Sequence, residues 1–318
     1  MDDKLILLTS SLAEIGPCHN DADFAIGTGS TSNDFVLHGS LPEGTGGVYV
    51  PGTEWGGVIE YMQETNGSDT RQHKGWTWRG LLSQAILTPP SGSDYLTVSG
   101  DANTVLGTIL SGVLGGFFHV PSTSSGITIS SYQFKLYCTV LDGITDMLTS
   151  ADAKLCIHAD KVEAGQPIQV TVEAKPAETL GTVYTGESPV GMTYTDNGMG
   201  INHLVCMGRG ELQNRQRADL YVNASGSIVE TKYFTGFAER TAYFDYSSAE
   251  SLAELKKAGR NRLLEIMSST SLQVNDINLD GDIGDKVYGY MHGKGVTSPI
   301  VSKVLTIKGD IWTVESKI

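Results

Sequence analysis

The chain has 318 residues, 40% of them hydrophobic and only 18% charged, with 38 glycines and a formal net charge of -14. A length beyond the roughly 250 to 300 residues at which single cores stop growing predicts two or three connected domains, and the glycine content favours turns and short strands over long helices. The acidic balance excludes a protein that grips nucleic acid by neutralising phosphates, which requires clustered Lys and Arg.

Over residues 1 to 100, strands separated by Gly, Pro, Asn and Ser clusters are expected at KLILLTS, NDFVLHG, GGVYVPG, GGVIEYMQET and HKGWTWRGLL. Alternation puts Val48 and Val50 on one face of a half-buried strand, with Tyr49 on the other. From Asp101 the period changes: Val105, Leu106, Ile109, Leu110 and Val113 recur at helical spacing behind an aspartate able to cap them. After FFHVPSTSSG a strand SYQFKLYCTV is expected, followed by a helical face of Leu141, Ile144, Met147 and Leu148. Together these predict an α/β insertion over 101 to 160.

Residues 161 to 246 return to β character, with strands IQVTVEAK, INHLVCMG and ADLYVNASGSIVETKYF, the last folded at NASGS, and a loop GFAERTAYFDYSS. Ser247 three residues before Glu250 has capping-box spacing, and Leu252, Leu255, Leu263, Ile266 and Met267 predict the longest helix of the chain. Strands around DKVYGYMHG, SPIVSKVLTIKG and DIWTVESKI close a final segment, 247 to 318, as part of a small barrel. The class is α+β, mostly β, in four segments (1 to 100, 101 to 160, 161 to 246, 247 to 318) that interleave, since no linker, repeat or heptad run separates them.

Chemistry is sparse. The cysteines Cys18, Cys138, Cys156 and Cys206 contain no C-x-x-C pair and read as free thiols. No nucleophile elbow, H-E-x-x-H or Walker sequence is present, and the Gly-x-Gly pairs at Gly27 and Gly208 read as turns. His19, His38, His73, His119, His158, His203 and His292 are isolated and read as structural. Cys206 and His203 are three apart on one strand, so their side chains point to opposite faces, and a core thiol is the preferred reading over a catalytic pair.

The one metal-like stretch is NDINLDGDIGD. Asp276, Asn278, Asp280 and Asp282 match early positions of a calcium loop, but the twelfth position, which should supply a bidentate Glu, is Val287. A tight acidic turn is the preferred reading, with calcium as the only cofactor candidate. Trp76 and Trp78, on one strand face with Trp55 nearby, read as core or interface anchors rather than sugar platforms. No enzyme is expected. A signal peptide is not expected either, because MDDKLILLTS is acidic where a basic region belongs, and no apolar run approaches the roughly 18 residues of a membrane span.

EWGGVIEYMQET, GWTWRGLLSQAILTPP and DYLTVSGDANTVLGTIL, in that order, resemble the siphophage Gp37-like tail proteins, matched here at Gly75, Trp78, Gly80, Leu81, Leu82, Ile86, Pro89 and Pro90. The second half keeps the same order: INHLVCMGRGEL, YFTGFAER, SLAELKKAGRNRLLE, IGDKVYGY and a last strand pair. The resemblance implies a phage tail hub, two interleaved β-barrel-like domains with inserted α/β domains, assembled as a homotrimer at the virion tail tip. Its implied partners are the distal tail and tail-tube proteins, with a tail fibre or the tape-measure protein as further candidates. Assembly in the bacterial cytoplasm without a membrane anchor is expected; longer members of the resembled group carry a C-terminal fibre or wall-degrading module, and no such extension is expected here, where the sequence stops at Ile318. A tail-associated cell-wall hydrolase or endopeptidase and a carbohydrate-binding adhesin are the competing readings.

Overall fold

The computed structural model describes residues 4–29, 32–66, 71–163, 165–188, 191–196, 200–247, 249, 251–267, 270–275 and 279–318. The chain divides into two units. Unit 1 holds Met1–Gly191, Val274–Tyr290 and Thr297–Ile318; unit 2 holds Met192–Gln273 and Met291–Val296. These boundaries cut across the four sequence segments, because strand pairing joins residues nearly 300 positions apart.

Unit 1 opens with β1 (Ile6–Thr9), β2 (Glu14–Pro17), β3 (Ala22–Gly27), β4 (Asp34–His38), β5 (Thr45–Tyr49), β6 (Gly56–Gln63) and β7 (Gln72–Thr77). The chain then turns into α1 (Trp78–Ser83) and continues through β8 (Thr97–Asp101), α2 (Ala102–Ser111), β9 (Phe118–His119), β10 (Thr128–Gln133), α3 (Val140–Ser150), β11 (Ala153–Asp160), β12 (Gln169–Pro176) and β13 (Thr179–Thr185). Unit 2 contributes β14 (Gly191–Asp196), β15 (His203–Met207), β16 (Arg217–Val222), β17 (Ile228–Val229), β18 (Thr241–Asp245), α4 (Leu252–Ile266) and β19 (Thr270–Asn275). Last come β20 (Lys286–Met291), β21 (Lys294–Pro299), β22 (Ser302–Lys308) and β23 (Ile311–Lys317).

Unit 1 is built on a curled, antiparallel nine-stranded sheet in the order β2-β1-β5-β6-β7-β4-β3-β22-β23. The β22–β23 hairpin adds itself to β3, Leu305 opposite Phe24, so two of the three expected closing strands, SPIVSKVLTIKG and DIWTVESKI, join this sheet, whereas DKVYGYMHG forms β20 of a separate sheet ordered β13-β20-β21. One sheet face buries Leu5, Leu7, Phe24, Phe35, Leu37, Val48, Val50 and Leu305. The other faces a second core in which Leu8, Tyr49 and Trp78 meet α2, α3, β11 and β12. β5 is therefore buried on both sides, with Val48, Tyr49 and Val50 no more than 4% exposed, rather than half-buried as its alternation suggests.

The helical periodicities of α2 and α3 appear where expected. Asp101 caps α2 by accepting from Asn103 N (3.0 Å) and Thr104 N (3.3 Å), and Thr139 caps α3 by accepting from Asp142 N. Both helices pack within unit 1 rather than in a separate domain, since their buried faces share the core that holds Trp78. The strand before α3 lies earlier than expected, ending at Gln133, because Tyr137 sits at φ 54° and breaks the extended chain.

In unit 2, β17, β16, β15 and β18 form one sheet with α4 packed on β15 and β16. Two expectations need correction here. GFAERTAYFDYSS is not all loop: Thr241–Asp245 pairs parallel with β15, a long-range pairing invisible to local pattern. The cap of α4 is Ser251, whose side chain accepts from Glu254 N, not Ser247; Ser251 directly precedes the helical run.

Gly259 of α4 sits against Cys206: a Cβ there would lie 2.5 Å from the thiol sulfur. Gly259→Ala is expected to lose about 1–3 kcal/mol to overpacking despite alanine's better helix propensity, and adding Cys206→Ala to recover part of it. Urea unfolding of the two variants checks this; an unchanged midpoint for Gly259→Ala contradicts it.

Candidate functional site: the Asp282–Asp285 turn and the polar clusters

Of the calcium-loop candidates, Asp276 and Asn278 lie outside the described residues, and Asp280 is exposed. Asp282 is taken up by an ion pair: Lys154 Nζ on β11 donates to Asp282 Oδ2 at 2.9 Å and to Asp285 Oδ2 at 2.7 Å. Asp285, which the calcium-loop match does not include, is the more buried carboxylate at 4% exposure, and it also accepts from Glu178 N (2.9 Å) and Asp282 N (2.8 Å). Gly284, at φ +97°, lets the turn close on Lys154, where a Cβ would come within 2.7 Å of the lysine's own. Burial works against the charge of Asp282, but the hydrogen bond and charge of Lys154 outweigh it and hold that carboxyl below its usual range. The same partners raise Lys154 despite its burial. Among the described residues, no group of three or more His, Cys, Asp or Glu side chains is arranged to hold a metal ion. What the turn does chemically is neutralise a buried ammonium and fasten residues 282 to 285 to β11.

A second buried pair lies beside it. Arg79 of α1 is 1% exposed and grips Glu54 in bidentate fashion (2.5 and 3.0 Å), with a third bond to Leu155 O at 3.1 Å. A cleft of about 500 Å³ adjoins both pairs, lined by Trp55, Cys156, His158, Lys175, Asp282 and Lys303. Burial pushes the Cys156 thiol up to about 12, so it is no nucleophile at neutral pH. Lys303 donates to Gly281 O at 2.5 Å, and burial lowers its pKa.

The tryptophans separate. Trp78 is fully buried on α1, whereas Trp76 remains on β7 and is half-buried, so the two do not share a strand face: the strand ends at Thr77, which caps the helix by accepting from Gly80 N. Trp55 packs edge-on against Phe24, ring centres 6.4 Å apart.

In unit 2 the opposite-face expectation for Cys206 and His203 holds. Cys206 is buried, its thiol raised to about 11 by burial, while His203 stacks on Tyr221 at 4.4 Å. His203 Nδ1 meets Glu239 Oε1 and Nε2 meets Asp219 Oδ1, both at 2.8 Å. Arg217 and Lys232 hold the outer sides of these carboxylates. Sequence spacing could place Asp219 opposite β15 once the hairpin was known, but nothing local links Glu239 to a histidine 36 residues away.

Chiefly the Arg217 hydrogen bonds depress Asp219, and the Lys232 hydrogen bond depresses Glu239, with His203 adding to both. Carboxyls depressed on folding stabilise above their unfolded values, about 3.9 and 4.3, and lose that contribution as pH falls through the lower folded ones. Unit 2 is therefore expected to weaken below about pH 4, and Arg217→Gln to reduce that acid dependence; Tyr221 fluorescence during acid titration reads it, and identical acid limbs for both proteins would be the contrary result.

No protein-family profile matches the chain, and no curated protein matches it. Solved structures do match. The tail protein from Neisseria meningitidis MC58 is 13% identical with a TM-score of 0.53, over 99% of this chain and 95% of that one. The 43 kDa tail protein of prophage MuSo2 from Shewanella oneidensis is 10% identical with a TM-score of 0.55, over 99% and 98%. Prophage tail protein gp18 from Listeria monocytogenes EGD-e is 11% identical with a TM-score of 0.57, over 99% and 94%. The chain has the fold of phage tail proteins along its whole length.

Proposed function

We propose that this chain is a structural subunit of a phage tail tip that forms a hub ring, a homotrimer closing the tail tube and joining it to distal tail and host-recognition parts. The observation that carries the reading is the reciprocal coverage: nearly all of this chain aligns with nearly all of three separate tail proteins. The order of the Gp37-like segments supports the finer assignment to that group. The chemistry agrees, since the strongest polar clusters, Lys154 with Asp282 and Asp285 and Arg79 with Glu54, are saturated by internal partners. A ring subunit needs interfaces and a rigid sheet rather than reactive side chains. Mass photometry of the chain alone and with tail-tube and distal tail proteins tests this: oligomers or complexes are expected, and a monomer that binds neither protein at any concentration counts against it. Clearing of host cell walls in a zymogram would favour the hydrolase instead.

A further inference from the structure

We propose that the copies of the ring meet through a knob on unit 2, the Phe237 tip with Arg240, which enters an acid-rimmed hollow on unit 1 of the next copy. The inference rests on the ring reading above and names its contact. Phe237 is 98% exposed, the most exposed large apolar side chain among the described residues, at the tip of a short turn where Gly236 takes φ +59°. A side chain of that size gains substantially from being covered. The guanidinium of Arg240, three residues on, donates to the carbonyls of Phe237 and Glu239, and among the described residues its charge has no carboxylate partner. The tip is thus both apolar and cationic.

The two units differ sharply in charge. Unit 2 carries ten of the 22 Lys and Arg but nine of the 36 Asp and Glu, a formal charge of +1 against -15 for unit 1. A second copy of this chain therefore offers the complementary surface.

The hollow on unit 1 encloses about 620 Å³, against α3, with Leu148, Ile283 and Pro299 among its lining and Asp142, Asp146 and Asp152 around it, of which Asp146 is ion-paired with Lys135 and Asp152 with Lys286. The cations that also line it are each already ion-paired with a carboxylate. Asp142 has no cation partner among the described residues and is the natural seat for Arg240. Thr145 Oγ1, on the same wall, is buried without a hydrogen-bond partner. A knob from one surface entering a hollow on a different surface is a heterologous contact, and repeated around a rotation axis it closes a ring.

Sedimentation velocity on the full chain tests this with three variants. Phe237→Ser and Arg240→Asp each change an exposed side chain and are expected to raise the subunit dissociation constant at least about tenfold, as central anchors do. Arg240→Asp combined with Asp142→Arg restores the oppositely charged pair and is expected to recover the assembly. Wild-type rings that persist unchanged in Phe237→Ser and Arg240→Asp overturn the contact while leaving the ring reading intact. Failure of the charge swap to recover assembly lost in Arg240→Asp also overturns it. A wild-type chain that stays monomeric, alone and with tail partners, overturns both.

Discussion

Lys154→Met is expected to lower the stability of unit 1 by about 3–5 kcal/mol, the usual consequence of removing one partner from a buried ion pair. Methionine keeps the aliphatic stem packed, so the loss isolates the ammonium. What it leaves behind is Asp285, 4% exposed, with two backbone N–H donors among the described residues to satisfy a full negative charge. The pH dependence follows from the two shifts. Asp282, depressed on folding, stabilises above its unfolded value of about 3.9 and loses that as pH falls through its folded value. Lys154, raised on folding, stabilises below about 10.4 and loses that as pH rises through its folded value. The wild-type advantage over Lys154→Met should therefore be greatest between about pH 4 and 10 and shrink at both ends. Urea unfolding across that range reads it, and a variant within about 1 kcal/mol of wild type at pH 7 would show that the pair is not what fastens the turn.

The second large effect lies at Gly80, where Ala is expected to cost about 3 kcal/mol or more, at the upper end of overpacking. A Cβ there would stand 2.0 Å from Asn33 O. That carbonyl has no room to retreat, because it accepts from Thr77 N (3.1 Å) and Thr77 Oγ1 (3.0 Å), while the Asn33 side chain is held by Gly27 N at 2.7 Å. Gly75 is tighter still, with Val58 O 1.9 Å from its would-be Cβ in the β6–β7 pairing. Gly181→Ala is the control: it lies in a strand with nothing within 4 Å of its Cβ, and should shift stability little. Thermal unfolding of Gly75→Ala, Gly80→Ala and Gly181→Ala compares them directly, and a Gly80→Ala protein as stable as the control would refute the packing argument.

These glycines give a physical reason for part of the motif that carried the family resemblance. Gly75 and Gly80 stand where backbone passes against backbone, and Trp78 and Leu82 plug the core on the sheet's far face. The resemblance could be read from residues; its cause could not, since Asn33 and Val58 are distant in sequence. α2, α3 and α4 are legible because their apolar positions repeat over about three turns or more. The six-residue α1 is not, because Trp78–Ser83 follows a strand without a break and is too short to show a period. The cap of α4 is ambiguous in the sequence because two Ser-x-x-Glu spacings follow one another there, Ser247 to Glu250 and Ser251 to Glu254, and only the one adjoining the apolar run caps it. The acidic turn was found but misassigned in emphasis. Its deciding member, Asp285, is the partner of a lysine 131 positions away, and no local pattern reports that distance.

The position of the chain in a particle decides the tail-tip reading. Electron microscopy of virions carrying a tagged copy should find the tag at the distal end of the tail, in a ring at the close of the tube. A tag on the capsid, along the tail shaft, or absent from purified particles would contradict it.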